Sequence, residues 1–191
     1  MKDEAETRAR VLLVEDDRDT AQLVERHLRA LGFTVDCAAN GEQAILVSQN
    51  HLPAVVVMDA MMPLLDGFET TRYLKVRYPG YLPVLMLTAL DDAEAVARAE
   101  AAGADYFLTK PVRRAPLSEA LLLLDRLRRA EDALEVDAVG AEAEAVEARL
   151  AVAGRLCDAS LGRIAAAHLA RLRTIAPEDA RVTALAARLG Q

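Results

Sequence analysis

The chain of 191 residues has no tryptophan, few other aromatic residues and only two cysteines. Cys37 and Cys157 lie in apolar segments without the spacing of a zinc site, so we expect two free, buried thiols in a reducing cytoplasm. Long apolar runs are also missing, since LPVLMLTAL at 82–90 is far too short to span a bilayer. The charged start MKDEAETRAR has no apolar segment typical of a signal peptide. These absences favour a cytoplasmic protein without a membrane segment.

The charge is spread unevenly along the chain. Residues 1–111 hold 11 Lys and Arg against 18 Asp and Glu, whereas residues 112–191 hold 12 of each kind. Neither part has the dense basic composition typical of a nucleic-acid surface. Apolar residues make up 53% of the chain, which is enough for a buried core. The length fits one domain with an extension, or two small domains.

Short apolar runs alternate with helical patterns through about residue 134. The predicted strands span 10–16, 33–39, 53–59, 82–88 and 105–109. The predicted helices span 18–32, 41–51, 68–78, 91–103 and 116–134, with Asp91 or Asp92 as the N-cap of the fourth. Because the central strands are continuously apolar, they predict an α/β fold: a doubly wound, five-stranded parallel sheet covered by helices on both faces.

Polar side chains follow the carboxyl ends of these strands, where such sheets bind their ligands. The residues are Glu15, Asp16, Asp17, Asp59, Thr88 and Lys110. Carboxylates held close together repel one another, so one of them would take up a proton or the group would bind a cation. Oxygen ligands of this kind favour Mg²⁺ over zinc. Lys110 carries one charge and cannot neutralise three carboxylates, so it is better suited to an incoming anion such as a phosphoryl group.

Four segments carry a family resemblance: VLLVEDD (11–17), VVVMDAMMPLLDG (55–67), LMLTA (85–89) and GADYFLTKP (103–111). In this order and spacing they resemble the receiver domain of two-component response regulators. The resemblance covers a predicted domain at 8–134, with the flavodoxin-like fold of CheY-like receivers.

The resemblance implies a phosphoacceptor rather than an enzyme. Asp59 would take a phosphoryl group from a sensor histidine kinase or a phosphotransfer protein. Glu15, Asp16, Asp59 and the backbone carbonyl of Met61 would hold Mg²⁺, which offsets charge in phosphoryl transfer.

The resemblance also implies a switch. Lys110 would contact a phosphoryl oxygen, Thr88 would move its hydroxyl toward it, and small Ala89 would leave room. Tyr106 would turn inward behind Thr88 and pass the signal to the surface of helix four, strand five and helix five. A homodimer through that surface is one implied partner.

Two apolar neighbours bear on the lifetime of the phosphoryl group. Met61 lies two positions after Asp59, and Leu90 lies two positions after Thr88. Neither side chain can orient an attacking water, so we expect slow self-dephosphorylation. The segment AMMPLL after Asp59 supplies no second acid or base, which disfavours a hydrolytic enzyme.

Several candidate residues have simpler explanations. Asp17 is better explained as a helix N-cap or first-turn acid than as a metal ligand. Asp66 and Gly67 fit loop and cap chemistry. His27, His51 and His168 are scattered over predicted helices, and we expect no catalytic role for them.

Predicted helix five is apolar on more than one side. Leu117, Leu121, Leu124 and Leu127 form one stripe, while Leu122 and Leu123 point elsewhere. Such a helix is buried on more than one face. We expect it to pack on the sheet and also against either a second receiver or the C-terminal segment.

The segment 135–191 has no strand pattern and predicts a small all-α domain of three helices. We expect a joint over 138–148, a helix to about Asp158, a second from the N-cap Ser160 to Ile175, and a third to Leu189. Residues 149–177 loosely resemble a tetratricopeptide helix pair.

Two outputs compete for this segment. The first is regulated protein–protein interaction or oligomerisation. The alternative is a phosphorylation-regulated, DNA-binding transcriptional regulator, because many response regulators are transcription factors. From residue 155 onward six arginines stand against three acids, which is mildly basic. No winged-helix strand pattern or recognition helix is evident, so DNA is the less favoured partner.

Overall fold

The computed structural model describes residues 8–78, 81–89, 93–136, 140–158 and 161–190. Strands and helices alternate in the first part of the chain. The strands are β1 (Arg8–Val14), β2 (Phe33–Ala38), β3 (Val55–Asp59), β4 (Val84–Thr88) and β5 (Tyr106–Thr109). The helices are α1 (Arg18–Ala30), α2 (Gly41–Asn50), α3 (Gly67–Arg77), α4 (Ala93–Ala102) and α5 (Arg114–Glu135).

The five strands form one parallel sheet in the order β2-β1-β3-β4-β5. Every residue of β3 and β4 is buried, as continuous apolar runs in a sheet covered on both faces require. The predicted α/β fold is therefore confirmed. The strand order reverses beside β1 and β3, so the carboxyl ends of these strands border the crevice in which such sheets bind ligands. Among the described residues no helix is both long and apolar enough to cross a membrane.

Two predicted N-caps are confirmed. The backbone N–H of Thr20 donates to Asp17 Oδ1 at 2.8 Å, and the N–H of Glu69 donates to Asp66 Oδ1 at 2.8 Å. Each carboxylate thereby satisfies an unpaired donor of a first helical turn. The predicted cap at Asp91 or Asp92 lies outside the described residues.

The expectation of two buried thiols is wrong. Both cysteines are free, but Cys37 is exposed and Cys157 is only half-buried. Cys37 lies near the carboxyl end of β2, the strand at one edge of the sheet, and it is exposed although Phe33 and Val35 earlier in the strand are buried. An apolar run on such a strand still places some side chains in solvent.

Helix α5 is covered on two sides. Its stripe of Leu117, Leu121, Leu124 and Leu127 is fully buried in the cluster that contains the sheet residues. A second side of α5 packs along the next helix of the same chain. The second partner expected for this helix is thus the C-terminal segment. Leu122 is still 40% exposed, so the second contact does not cover every apolar residue.

Three helices follow: α6 (Ala141–Asp158), α7 (Gly162–Ile175) and α8 (Ala180–Leu189). The joint predicted over 138–148 is wrong for 141–148, which forms the start of α6. The alanines and glutamates there favour a helix, and Ala145 and Ala148 are buried in the core. Ser160 lies outside the described residues, and α7 begins at Gly162. The domain division at 134 and the tetratricopeptide resemblance stay predictions.

Candidate functional site

The sheet brings together the polar residues that follow its strands. β1 ends at Val14 and is followed by Glu15 and Asp16, while the neighbouring strand β3 ends in Asp59. Lys110 comes directly after β5. Glu15, Asp16 and Asp59 each offer a carboxylate oxygen within 4.8 Å of the others. We call these three acids and Lys110 the acidic pocket.

Lys110 links the two buried carboxylates of the acidic pocket. Its Nζ donates to Glu15 Oε1 at 2.8 Å and to Asp59 Oδ2 at 2.8 Å. Glu15 and Asp59 are 3% and 4% exposed, whereas Asp16 is exposed. One ammonium therefore faces two buried carboxylates and one carboxylate in solvent, which leaves the pocket with an excess of negative charge.

That excess shifts the protonation of the buried groups. Burial, with a smaller effect of the Asp59 charge, raises the pKa of Glu15 from its usual 4.5 to about 7 against the opposing effect of Lys110. Burial lowers the pKa of Lys110, but the hydrogen bonds to Asp59 and Glu15 outweigh this and raise it above its usual value. The sequence predicted that such a cluster would bind either a proton or a cation. The raised pKa makes Glu15 a site of proton uptake near neutral pH.

Glu15 also has capacity for a further ligand. Its buried Oε2 forms an ion pair with Lys110 Nζ at 2.8 Å but has no hydrogen-bond partner among the described residues. A buried carboxylate oxygen without a partner is unfavourable unless a cation or a proton satisfies it. The donor set, which consists only of oxygen atoms, fits a hard divalent cation.

Asp59 is held closely by its surroundings. The backbone N–H of Met61 donates to Asp59 Oδ1 at 3.2 Å. A Cβ added at Gly67, the first residue of α3, would lie 1.9 Å from the carbonyl oxygen of Asp59. Gly67 therefore lets α3 start directly against the backbone that carries Asp59. The sequence suggested only loop and cap chemistry for Gly67, and its acid-glycine pair gave no signal of this close approach.

Thr88 lies on β4, the strand beside β3, and Tyr106 lies on β5, the edge strand on the other side of β4. Thr88 is fully buried at the end of β4, and its carbonyl accepts from the backbone N–H of Lys110 at 2.6 Å. Tyr106 is 6% exposed, and its burial raises the pKa of the phenol. The charges nearest this phenol belong to Glu119, Arg155 and Asp158. Tyr106 thus adjoins α5 and α6 as well as the sheet.

The remaining candidate residues lie apart from the acidic pocket or cannot be placed. The Met61 side chain is 52% exposed beside Asp59. Leu90 lies outside the described residues. His51 is an exposed residue near Asp36, and His27 lies in the last turn of α1. His168 is buried and makes a hydrogen bond to Asp105. The two residues are 63 positions apart in the sequence, so no local pattern could have revealed this contact.

The chain is similar to known signalling proteins. The family described as the response regulator receiver domain matches residues 11–122. The "Response regulator MprA" of Mycobacterium ulcerans is 36% identical over 130 residues, covering 68% of this chain and 56% of that protein. The "Probable transcriptional regulator ycf27" of Guillardia theta is 35% identical over 106 residues, covering 56% and 41%. The chain thus spans about half the length of these relatives.

Solved structures share the fold of the first part of the chain. Chemotaxis protein CheY4 of Vibrio cholerae superposes with a TM-score of 0.59 at 31% identity, covering 61% of this chain and 98% of that one. CheY in the CheX-CheY-BeF3-Mg²⁺ complex of Borrelia burgdorferi gives 0.54 at 30% identity, covering 56% and 82%. Because the family match spans more than half of the chain and its sheet has this same fold, the protein belongs to the response regulator receiver family, with three further helices after the receiver.

Proposed function

We propose that the chain is a phosphoacceptor of a two-component phosphorelay that works in the cytoplasm. Asp59 accepts a phosphoryl group from a histidine kinase or a phosphotransfer protein in a Mg²⁺-dependent reaction. The observation that carries this proposal is a buried carboxylate at the end of β3, with an ammonium 2.8 Å from its Oδ2 and two further acids beside it.

The transfer is a single displacement at phosphorus without a change of oxidation state. Apart from Asp59, no residue of the protein has to form a covalent bond. An oxygen of Asp59 forms a bond to phosphorus while the P–N bond of the donor phosphohistidine breaks, and the leaving imidazole takes up a proton. Catalysis is therefore mainly positioning and charge neutralisation. Lys110, which already contacts Asp59, supplies one positive charge for the incoming phosphoryl oxygens.

Glu15, Asp16 and Asp59, together with the backbone carbonyl of Met61, would hold the Mg²⁺ ion. When bound, the ion offsets the negative charge that the acidic pocket and the phosphoryl group share. Oε2 of Glu15 supports this assignment, because it is a buried oxygen that pairs with Lys110 but accepts no hydrogen bond, and it can serve as a ligand or as an acceptor for a bound water.

We assign the response to the residues around the acidic pocket. Thr88 and Tyr106 are the proposed switch residues, with the Thr88 hydroxyl approaching the phosphoryl group. The apolar Met61 and Leu90 give slow self-dephosphorylation, so the chain acts as a switch and not as an enzyme. The output is regulated protein–protein interaction or oligomerisation.

A DNA-binding output is the second candidate, because one relative is named a probable transcriptional regulator. The charge of the C-terminal helices favours it less. Most arginines there pair with acids: Arg155 with Glu119, Arg171 with Glu131, Arg181 with Glu147 and Asp179, and Arg188 with Asp158. Paired guanidinium groups have less charge to offer to phosphates. A salt-sensitive gel shift with specific DNA fragments would favour this second candidate.

Incubation of the full chain with acetyl phosphate and Mg²⁺, followed by intact mass measurement, tests the proposal. We expect one added phosphoryl mass, which is lost in Asp59→Asn and in excess chelator. Asp17→Asn is the matched control, because Asp17 is an acid beside the acidic pocket whose capping role asparagine retains. Unchanged mass in the wild-type chain, or labelling that persists in Asp59→Asn, would contradict the assignment. A phosphoryl lifetime of only seconds would contradict slow self-dephosphorylation.

A further inference from the structure

Residues 60–66 connect β3 to α3, and we call them the β3–α3 loop. This loop lies directly against the acidic pocket, because the backbone N–H of Met61 donates to Asp59 Oδ1 at 3.2 Å. The carbonyl of the same residue is the backbone ligand proposed for Mg²⁺. The position of the loop therefore determines where one metal ligand lies, and it also orients the carboxylate that would accept the phosphoryl group.

The β3–α3 loop contains an unfavourable backbone conformation. Leu64 has a φ of 72°, in the left-handed region that residues other than glycine rarely adopt. Its side chain is 78% exposed, so packing of this side chain does little to hold the conformation. Such a conformation persists only where other contacts over-determine it. The contacts at the two ends of the loop must therefore supply this constraint.

Backbone contacts close the base of the loop. The N–H of Gly67 donates to the carbonyl oxygen of Ala60 at 3.0 Å, and the N–H of Ala60 donates to the carbonyl oxygen of Leu87 at 2.7 Å. Asp66, the last residue of the loop, caps α3 through its Oδ1. These contacts fix the loop to the strand before it, to the helix after it and, through Ala60, to β4.

Arg98 of α4 contacts the end of the loop from a different part of the chain. Its Nη2 donates to Asp66 Oδ2 at 3.0 Å, which is the carboxylate oxygen that the helix cap does not use. Its guanidinium carbon lies 4.1 Å from the centre of the Phe68 ring, and this residue is only 1% exposed. A guanidinium that is paired with a carboxylate and stacked on an aromatic face has little freedom to move. One side chain thus holds both the last residue of the loop and the second residue of α3.

The consequence of this contact is positional more than energetic. The side chains of Arg98 and Asp66 are 43% and 25% exposed, and ion pairs that lie partly in solvent contribute little to the free energy of unfolding. Metal affinity is the more sensitive quantity, because residues that orient metal ligands change it by about tenfold to a hundredfold. Arg98 acts one step further from the ion, through Asp66 and the loop backbone. Its effect is therefore expected near or below the lower end of that range.

We propose that Arg98 is a positioning residue of the acidic pocket. It holds the β3–α3 loop through Asp66 and Phe68, and thereby sets the Met61 carbonyl and Asp59 Oδ1 in place for Mg²⁺. The inference rests on the proposed function for the identity of the ion. As a cation, Arg98 is not itself a ligand. Its loss leaves every oxygen ligand present but less well placed, so Mg²⁺ binds more weakly while phosphoryl transfer at saturating Mg²⁺ keeps its rate.

Titration of the full chain with Mg²⁺ in the absence of a phosphoryl donor, followed by amide chemical shifts, tests this role. We expect the dissociation constant of Mg²⁺ to rise about threefold to tenfold in Arg98→Gln. Loss of a nearby positive charge would by itself favour a bound cation, so weaker binding identifies a positioning effect. Arg72→Gln on α3 is the matched control, because it removes the same charge from an exposed arginine, and it should bind Mg²⁺ no more weakly than wild type. Wild-type or tighter binding in Arg98→Gln overturns the proposal.

A double-mutant cycle with Asp66→Asn tests whether the effect passes through Asp66. Asparagine retains the cap of α3 but loses the charge that pairs with Arg98. Both variants should fold, because the pair lies partly in solvent. In the Asp66→Asn background, Arg98→Gln should cause no further loss of Mg²⁺ affinity. A further loss of about threefold or more in that background would overturn the route through Asp66.

Phosphoryl uptake from acetyl phosphate separates this inference from the proposed function. Initial rates measured by intact mass at increasing Mg²⁺ give a half-saturating concentration and a maximal rate. Arg98→Gln should raise the first by about threefold or more and leave the second within about twofold of wild type. A lowered maximal rate with an unchanged half-saturating concentration overturns the positioning role. If the wild-type chain binds Mg²⁺ but gains no phosphoryl mass, the proposed function fails, and the Mg²⁺ titration alone decides the role of Arg98. If the wild-type chain binds no Mg²⁺, both fail.

Discussion

Two buried charged groups lie at opposite ends of β5, and they differ in how their charges are matched. In the acidic pocket, Lys110 faces Glu15 and Asp59, and Glu15 Oε2 has no hydrogen-bond partner. The second group, which we call the latch, consists of Asp105, Glu131, Arg149 and His168. There both nitrogens of His168 have polar partners, the carbonyl oxygen of Asp105 and Arg149, and Arg149 is paired with Glu131. An unbalanced group beside solvent is suited to bind an ion or react, whereas a balanced and closed group is suited to fix the position of helices.

The largest expected effect comes from breaking the balance of the latch. Arg149→Met leaves Glu131 with only the partly exposed Arg171 as a partner at 3.3 Å and removes the donor to His168. Removal of one partner of a buried ion pair costs about 3–5 kcal/mol of unfolding free energy. Urea denaturation measures this loss. The exposed Arg173→Met on α7 is the control and should leave the midpoint unchanged; an equally small effect of Arg149→Met would show that the latch contributes nothing.

The latch should also make the fold sensitive to acid. Burial, helped by the charges of Arg149 and Lys75 and opposed by Asp105, lowers the pKa of His168 from 6.5 to about 4. Between these pH values the unfolded chain binds a proton that the folded chain excludes. The contribution of His168 to the unfolding free energy is therefore fully present above pH 6.5 and is lost as the pH drops to about 4. The loss is about 3 kcal/mol.

Unfolding free energies measured across this range in wild-type and His168→Gln chains isolate that contribution. The difference between the two pH profiles should have the stated size and sign, because other carboxylates titrate equally in both. Parallel profiles would mean that His168 is not held neutral by the fold.

The acidic pocket should show the opposite slope. Burial raises the pKa of Glu15 to about 7, so the metal-free folded chain binds a proton that the unfolded chain releases above pH 4.5. The stabilisation that protonated Glu15 gives to the folded chain is fully present below pH 4.5 and is lost as the pH rises to about 7. Above pH 7 the folded chain must bury an ionised Glu15, which costs unfolding free energy. Glu15→Gln removes this cost and should stabilise the metal-free chain at pH 8 by about 1–3 kcal/mol, but not at pH 4. Denaturation in chelator measures this, and a destabilised variant at pH 8 would contradict it.

The smallest effect is expected at the solvent-exposed rim of the α6 contact. Arg155 pairs with Glu119, but both side chains are nearly half exposed, so water and salt screen the pair. Arg155→Met should leave the urea midpoint unchanged within error in physiological salt. A loss of unfolding free energy as large as that of Arg149→Met would show that the exposed rim of the contact, and not its buried centre, contributes most of its stability.

The sequence predicted the sheet and the acidic pocket because both depend on local patterns joined by one topological rule. Apolar runs marked the strands, and the carboxylate that ends a buried strand marked Asp59, since the ends of parallel strands meet at one edge. The starts of α1 and α3 were also predicted from the caps Asp17 and Asp66. The roles of Thr88 and Tyr106 stay predictions.

The latch could not be predicted in this way. Asp105 and His168 are 63 residues apart, and a lone histidine on an apolar helix carries no local indication of its partner. Arg149 lies among alanines and other charged residues, and nothing in that pattern distinguishes it. The two-sided apolar pattern of α5 did indicate a second partner, but it could not distinguish another receiver from the C-terminal helices. Contacts between elements distant in sequence depend on packing, which no local periodicity encodes.

Burial of α5 between the sheet and α6 limits how this protein can be recombined. A chimera that joins its first 134 residues to a foreign effector would leave an apolar flank of α5 bare and return Glu131 to water. Such a chimera would tend to self-associate unless that flank were redesigned. The receiver and its helical extension are therefore expected to tolerate exchange only as a pair.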